Sequence, residues 1–151
     1  MKSLILFILY FKSVLLFSQS YMSTTLRTIT LDSIDIKFNY NEKFGGIEAE
    51  SYFKNSKSKL STIYYLEEDN KTFHLIVVQE KSKNSEDTWR TNVFQFNDGK
   101  IFYQKESYHS KINGIAIEHQ KDNNEIYHKA FNTEFLKKYI FELFEKIKNY
   151  R

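Results

Sequence analysis

The chain has no cysteine, no proline, only four glycines and almost no surplus charge. Without cysteine there is no disulfide staple, no thiolate nucleophile and no lipid-bearing residue behind a leader, so a folded domain must be held by its core alone. Without a Pro- or Gly-rich stretch nothing divides the chain, and about 130 residues are enough for one independent core. The 22 Lys and Arg stand against 19 Asp and Glu, a net charge of +3 that falls to +1 if Lys2 and Lys12 leave with a leader. Interspersed signs at that level give no electrostatic reason to expect nucleic acid or an anionic membrane as partner.

A long hydrophobic run is also missing. Leu4 to Phe17 is interrupted by Lys12 and Ser13, and it is shorter than the roughly 20 apolar residues of a spanning helix. Met1-Lys2-Ser3 is a short positive start, and Ser18-Gln19-Ser20 puts small residues where signal peptidase reads them, so cleavage is expected after Ser20. The expectation is therefore a signal peptide helix over 1–20 and one β-rich domain over 21–151. The domain would be secreted or periplasmic, soluble, and without a stable membrane anchor once the leader is removed. A retained anchor and a cytosolic start at Met22 are the competing readings.

What is present is a series of short runs rich in Ile, Val, Phe and Tyr, separated by polar turns. Leu26 to Leu31 and Ile34 to Tyr40 alternate in opposite phase, which calls for a bend or bulge at Asp32-Ser33. Leu60 to Glu67 and Thr72 to Glu80 join around Asp69-Asn70, a register that sets Leu66 against Phe73, Tyr64 against Leu75 and Thr62 against Val77, with Ile63, Ile76 and Val78 on the other side. Asn97-Asp98-Gly99-Lys100 predicts a type I′ hairpin, because Asp and Gly tolerate the positive φ angles it needs. That turn pairs Phe96 with Ile101 and Phe94 with Tyr103. A further turn at His109 to Lys111 leads to a strand over Ile112 to His119, and Asn123-Asn124 turns into another over Glu125 to Phe131. The core face then holds Phe94, Phe96, Ile101, Tyr103, Ile115, Ile117 and Ile126.

Asn132 can cap a helix over 133–148, in which Leu136, Tyr139, Ile140, Leu143, Phe144 and Ile147 form one apolar stripe. The fold class predicted is mainly β: an antiparallel meander of about seven to nine strands in a strongly curled or barrel-like sheet, with one amphipathic helix packed on it. The order of leader, meandering strands and helix resembles the layout of lipocalin-type barrels. Their G-x-W signature near the first strand is missing, since the sole Trp is Trp89. The resemblance is architectural, and it implies a sheet that encloses an interior.

No G-x-S-x-G elbow, P-loop, G-x-G-x-x-G turn or H-E-x-x-H helix is present, and no cofactor is implied. His119 and His128 face each other across the Asn123-Asn124 turn and form a two-ligand metal candidate, against the plainer reading of a wet hairpin end. Glu48 and Glu50 share a strand face at a spacing near that of paired catalytic carboxylates, although alternating Glu on a solvated face is commoner. Glu67, Glu68 and Asp69 read as a charged turn, Asn70-Lys71-Thr72 as a glycosylation sequon, and Phe44-Gly45-Gly46-Ile47 as a turn. The remaining hint is an aromatic face opposite the core: Trp89, Phe102, Tyr108, Tyr127 and Phe131. The leading expectation is a non-enzymatic binding module of the cell envelope or extracellular space, holding a small apolar ligand or a protein partner on that face. An exported hydrolase using carboxylates or a His-bound metal is one alternative, and a structural envelope component is the other.

Overall fold

A computed structural model describes residues 26–69, 71–119 and 129–150. The expected leader, Tyr127, His128, the Asn123-Asn124 turn and Ile126 lie outside the described residues. Eight strands form one antiparallel sheet in which each pairs with its neighbours in sequence: β1 (Arg27–Leu31), β2 (Ile34–Asn41), β3 (Gly46–Phe53), β4 (Ser58–Leu66), β5 (Phe73–Ser82), β6 (Thr88–Asn97), β7 (Lys100–Ile112) and β8 (Ile115–His119). One helix, α1 (Thr133–Ile147), follows.

The meander and the helix are as expected; closure is not. The two ends of the sheet, β1 and β8, do not pair, so the sheet is open and the barrel-like reading is corrected. The physical reason is that the inner face is already filled. Leu136, Tyr139, Ile140, Leu143, Phe144 and Ile147 of α1 pack on Ile36, Phe38, Ile47, Leu60, Tyr64, Ile76, Val78 and Phe94. Tyr64 anchors the contact, its buried hydroxyl donating to the Ile140 carbonyl at 2.7 Å. Among the described residues no helix is long and apolar enough to cross a membrane.

Turn chemistry sets most of the register. Asp98 and Gly99 take φ +48° and +71°, the type I′ geometry anticipated. Asn113 and Gly114 do the same at +52° and +82°, pairing Ile112 with Ile115. The turn expected at His109 to Lys111 is therefore corrected, since β7 runs unbroken through those residues. The opposite phases of the first two strands are reconciled by a two-residue turn with Asp32 at φ +51°, rather than by a bulge. At the start of β3, Gly46 lies so close to the Tyr64 carbonyl and the Phe44 ring that a Cβ would collide with both.

Two bulges move side chains to the face opposite the one expected. Between the Tyr65–Leu75 and Leu66–Phe73 pairs His74 is extra, so Tyr64 faces Ile76 and Thr62 faces Val78, and Ile76 and Val78 point inward. Between the Gln95–Tyr103 and Phe96–Ile101 pairs Phe102 is extra, and Phe94 faces Gln104 instead of Tyr103. Of the expected core face, Phe94 and Phe96 are buried and Ile101 packs against them. Tyr103 points outward, 44% exposed, while Ile115 and Ile117 on β8 stay 68% and 39% exposed, apart from the core cluster. Of the last expected strand, Glu125 to Phe131, residues 125–128 lie outside the described residues, and Lys129 to Phe131 are not in the sheet but lead into the helix.

Asn132 accepts the Phe135 N–H on its Oδ1 at 2.7 Å, which satisfies one orphan donor of the first turn of α1. Asn132→Ala should cost about 1 kcal/mol. Urea unfolding followed by circular dichroism measures this, and an unchanged midpoint would show that the cap contributes nothing.

Candidate functional site

The inner face of the sheet is apolar beneath α1 and polar toward β8. The register sets Glu80 opposite Arg90, Arg90 opposite Tyr108, Tyr108 opposite His119, and Asn92 opposite Glu106. Arg90 is fully buried, and its guanidinium reaches Glu80 Oε2 at 2.8 Å, Glu106 Oε2 at 3.0 Å and the Phe131 carbonyl at 2.6 Å. Glu80, 1% exposed, accepts the Ala130 N–H on its other oxygen at 2.6 Å. The pair therefore holds a donor and an acceptor of the segment that delivers the chain to α1. Burial pushes the Glu106 carboxyl upward, but the Tyr108 hydroxyl at 2.5 Å and the charges of Arg90 and Lys129 outweigh it and hold the group below its ordinary range. Neither Arg90 nor Glu80 stood out in the sequence, yet a signal existed: each shares its parity with inward-pointing apolar residues of its own strand.

Several buried polar atoms under and beside α1 have no partner among the described residues: Ser51 Oγ, Thr62 Oγ1, Arg90 Nε, Asn92 Nδ2 and Tyr139 Oη. Ordered water is the usual occupant of such sites.

Of the five aromatic residues expected on one face, Tyr127 lies outside the described residues, and the other four do not share a face. Trp89 is on the outer face, its ring stacked on His109 at 5.2 Å. Tyr108 belongs to the inner face beside Arg90, because the bulge at Phe102 and the length of β7 reverse the expected parity. Phe102, 65% exposed, is the bulge residue itself. Phe131 packs on Phe53 and Phe135 at the margin of the core, at 4.7 and 5.0 Å between ring centres.

His119 Nε2 lies 2.7 Å from Ser110 Oγ on the inner face, and His109 Nε2 lies 3.0 Å from Ser107 Oγ on the outer face. Burial lowers the His109 pKa against the opposing pull of Glu118. Among the described residues neither imidazole is hydrogen-bonded to a carboxylate, the third group that orients a base in nucleophilic catalysis. No cluster of three metal-ligating side chains occurs among the described residues. Glu48 and Glu50 do share the outer face, where Glu50 accepts from the Tyr52 hydroxyl at 2.5 Å and sits 3.5 Å from Lys59, which in turn binds Glu86 at 2.8 Å. The charged turn is closed by Asp69, whose Oδ1 accepts from the N–H groups of Lys71 and Thr72. Those donors hold the Asp69 carboxyl below its ordinary range.

Sequence reasoning did not anticipate the groove between the first hairpin and the helix. It measures about 710 Å³, with Leu31, Ile34, Ile36, Tyr139 and Leu143 supplying apolar walls and Thr30, Asp32, Glu142, Glu145 and Lys146 supplying polar ones. The groove lies where β1, only five residues long, and the β1–β2 turn meet the C-terminal half of α1, with Ile29 and Leu31 of β1 packed against the core cluster. Glu142 pairs with Lys138 at 3.5 Å and Glu145 with Lys148 at 2.6 Å, both exposed pairs that exchange readily with other partners. No family model, curated protein or solved structure matches the chain.

Proposed function

We propose that this is an exported, non-enzymatic binding module whose ligand site is the groove between the β1–β2 hairpin and α1. The observation that carries this reading is the combination of an apolar floor with a charged rim in a cleft of about 710 Å³, within the range of small-molecule and peptide pockets. It replaces the aromatic face as the proposed site, since Trp89 and Tyr108 lie on opposite faces of the sheet. The floor offers Leu31 and Ile34 to apolar groups, and the rim offers carboxylates and one ammonium to orient a polar end.

N-phenyl-1-naphthylamine, an uncharged apolar dye, is a direct probe. It should bind with saturable 1:1 stoichiometry, and Leu31→Trp, which fills the groove from its edge, should weaken binding at least tenfold without lowering the melting temperature. Equal affinity in wild type and Leu31→Trp would overturn the site.

A further inference from the structure

We infer that the outer face of the sheet is the contact surface for a second copy of this chain, giving a two-fold dimer whose axis runs along β5. This face lies opposite the helix and does not depend on the reading of the groove. Among the described residues no strand or helix covers it, since the eight strands form one sheet and α1 packs on the other side. A face left to water alternates polar residues outward along each strand. Here the middle of the face is apolar: Ile63 of β4 stands opposite Val77 of β5, and Val77 opposite Val93 of β6. The Phe44 ring, 5.4 Å from that of Tyr65, folds over one corner, and Ile63, Val77 and Val93 stay half-exposed.

The order of residues along this row identifies the occupant. It reads Lys105 on β7, Val93 on β6, Val77 on β5, Ile63 on β4 and Glu48 on β3. A second copy turned about an axis along β5 meets it with Val77 on Val77, Ile63 on Val93 and Glu48 on Lys105. Each apolar residue then finds an apolar one and each charge its opposite, twice over by symmetry. An axis across the strands would instead set Lys105 on Lys105 and Glu48 on Glu48. Sheets packed face to face keep their strands within about 30° of alignment, so the pairing holds near the axis. Lys105 also reaches Glu118 of its own chain at 2.9 Å, an exposed pair that exchanges readily. Glu48 has no ion-pair partner among the described residues. Lys81 meets its own copy farther along the axis, and Glu86 beside it offsets that repulsion. The strands from β2 to β8 that such an axis overlaps cover on the order of 700 Å² of each copy, at about 4.8 Å between strands and about 3.3 Å per residue. A stable interface of standard size uses about 800 Å² per partner.

Sedimentation velocity across a range of concentrations tests the dimer, with circular dichroism as the check that each variant is folded. The wild-type protein should pass reversibly from monomer to dimer. Val77→Arg, which sets two guanidinium groups against each other at the axis, should raise the dissociation constant at least tenfold. Lys105→Glu alone and Glu48→Lys alone should each do the same, because symmetry repeats the like-charge contact. The two reversals combined should bring the constant back to within about threefold of wild type. Within one chain the two residues are four strands, or about 19 Å, apart, so one change can repair the other only through a second copy. A protein that stays monomeric at every concentration would overturn the dimer. A dimer that survives Val77→Arg and both single reversals would overturn this face as its interface, and a double reversal as weak as the single ones would overturn the axis along β5.

Discussion

Replacing Arg90 with Met should lower the unfolding free energy by about 3–5 kcal/mol, read as a shift of the urea midpoint with unchanged slope. The loss is larger than that of an apolar truncation because it strands a charge. Without the guanidinium, the Glu80 carboxylate remains 1% exposed with the Ala130 N–H as its one hydrogen-bond donor among the described residues, and the Phe131 carbonyl loses the Arg90 donor. Against a total of about 5–15 kcal/mol this loss is between roughly a fifth and all of the domain's stability. A second variant separates two roles. In the double substitution Arg90→Met with Glu80→Leu no charge is buried, so at least half of the stability should return. If the double variant is as unstable as the single one, the decisive contribution is the hold on Ala130 and Phe131, and with it the delivery of α1 to the sheet.

The features that could be read in advance are those encoded within a few residues. Asp98-Gly99 specifies its turn because both positions need positive φ, and the stripe from Leu136 to Ile147 specifies a helix because only a 3.6-residue period puts those six side chains on one face. Asn113-Gly114 carries the same turn signal just beyond the polar run at His109 to Lys111, where the sequence reading places the turn. That run stays extended because, this close to the sheet's end, both faces of β7 accept polar side chains, as the Ser110 and His109 contacts show. The two bulges left no local mark. His74 and Phe102 sit within segments that still alternate, yet each extra residue turns the pairing partners beyond it to the other face, which is why Tyr108 was expected outside and is found beside Arg90. The groove was less legible still, since it depends on where α1 lies across the strands, a tertiary placement that neither the helix period nor the strand period encodes.

The same packing that closes the core makes the domain fail in alkali. Burial pushes the Tyr139 phenol up to about 12 and raises Tyr64 well above its ordinary value, with the neighbouring Tyr139 adding to the effect. A phenol is neutral when protonated, so between the ordinary value of 10.0 and about 12 the folded chain keeps a proton at Tyr139 that the unfolded chain has released. Unfolding then releases protons, and stability falls as the pH rises. The contribution is fully present below pH 10, and for Tyr139 alone it amounts to about 2–3 kcal/mol lost by pH 12. Tyrosinate absorbance should therefore show two of the 11 tyrosines ionising only together with the loss of the far-ultraviolet β signal. Tyr139→Phe should remove its share of the alkaline loss, and at neutral pH it should cost little or stabilise, because the Tyr139 hydroxyl faces Ser51 without completing a hydrogen bond. Tyr64→Phe should differ, since Tyr64 donates to the Ile140 carbonyl: it should lose about 1 kcal/mol at pH 7 while also flattening the alkaline limb. Identical alkaline midpoints in wild type and both variants would mean that neither phenol is sealed beneath the helix, and the docking of α1 on the inner face would have to be abandoned.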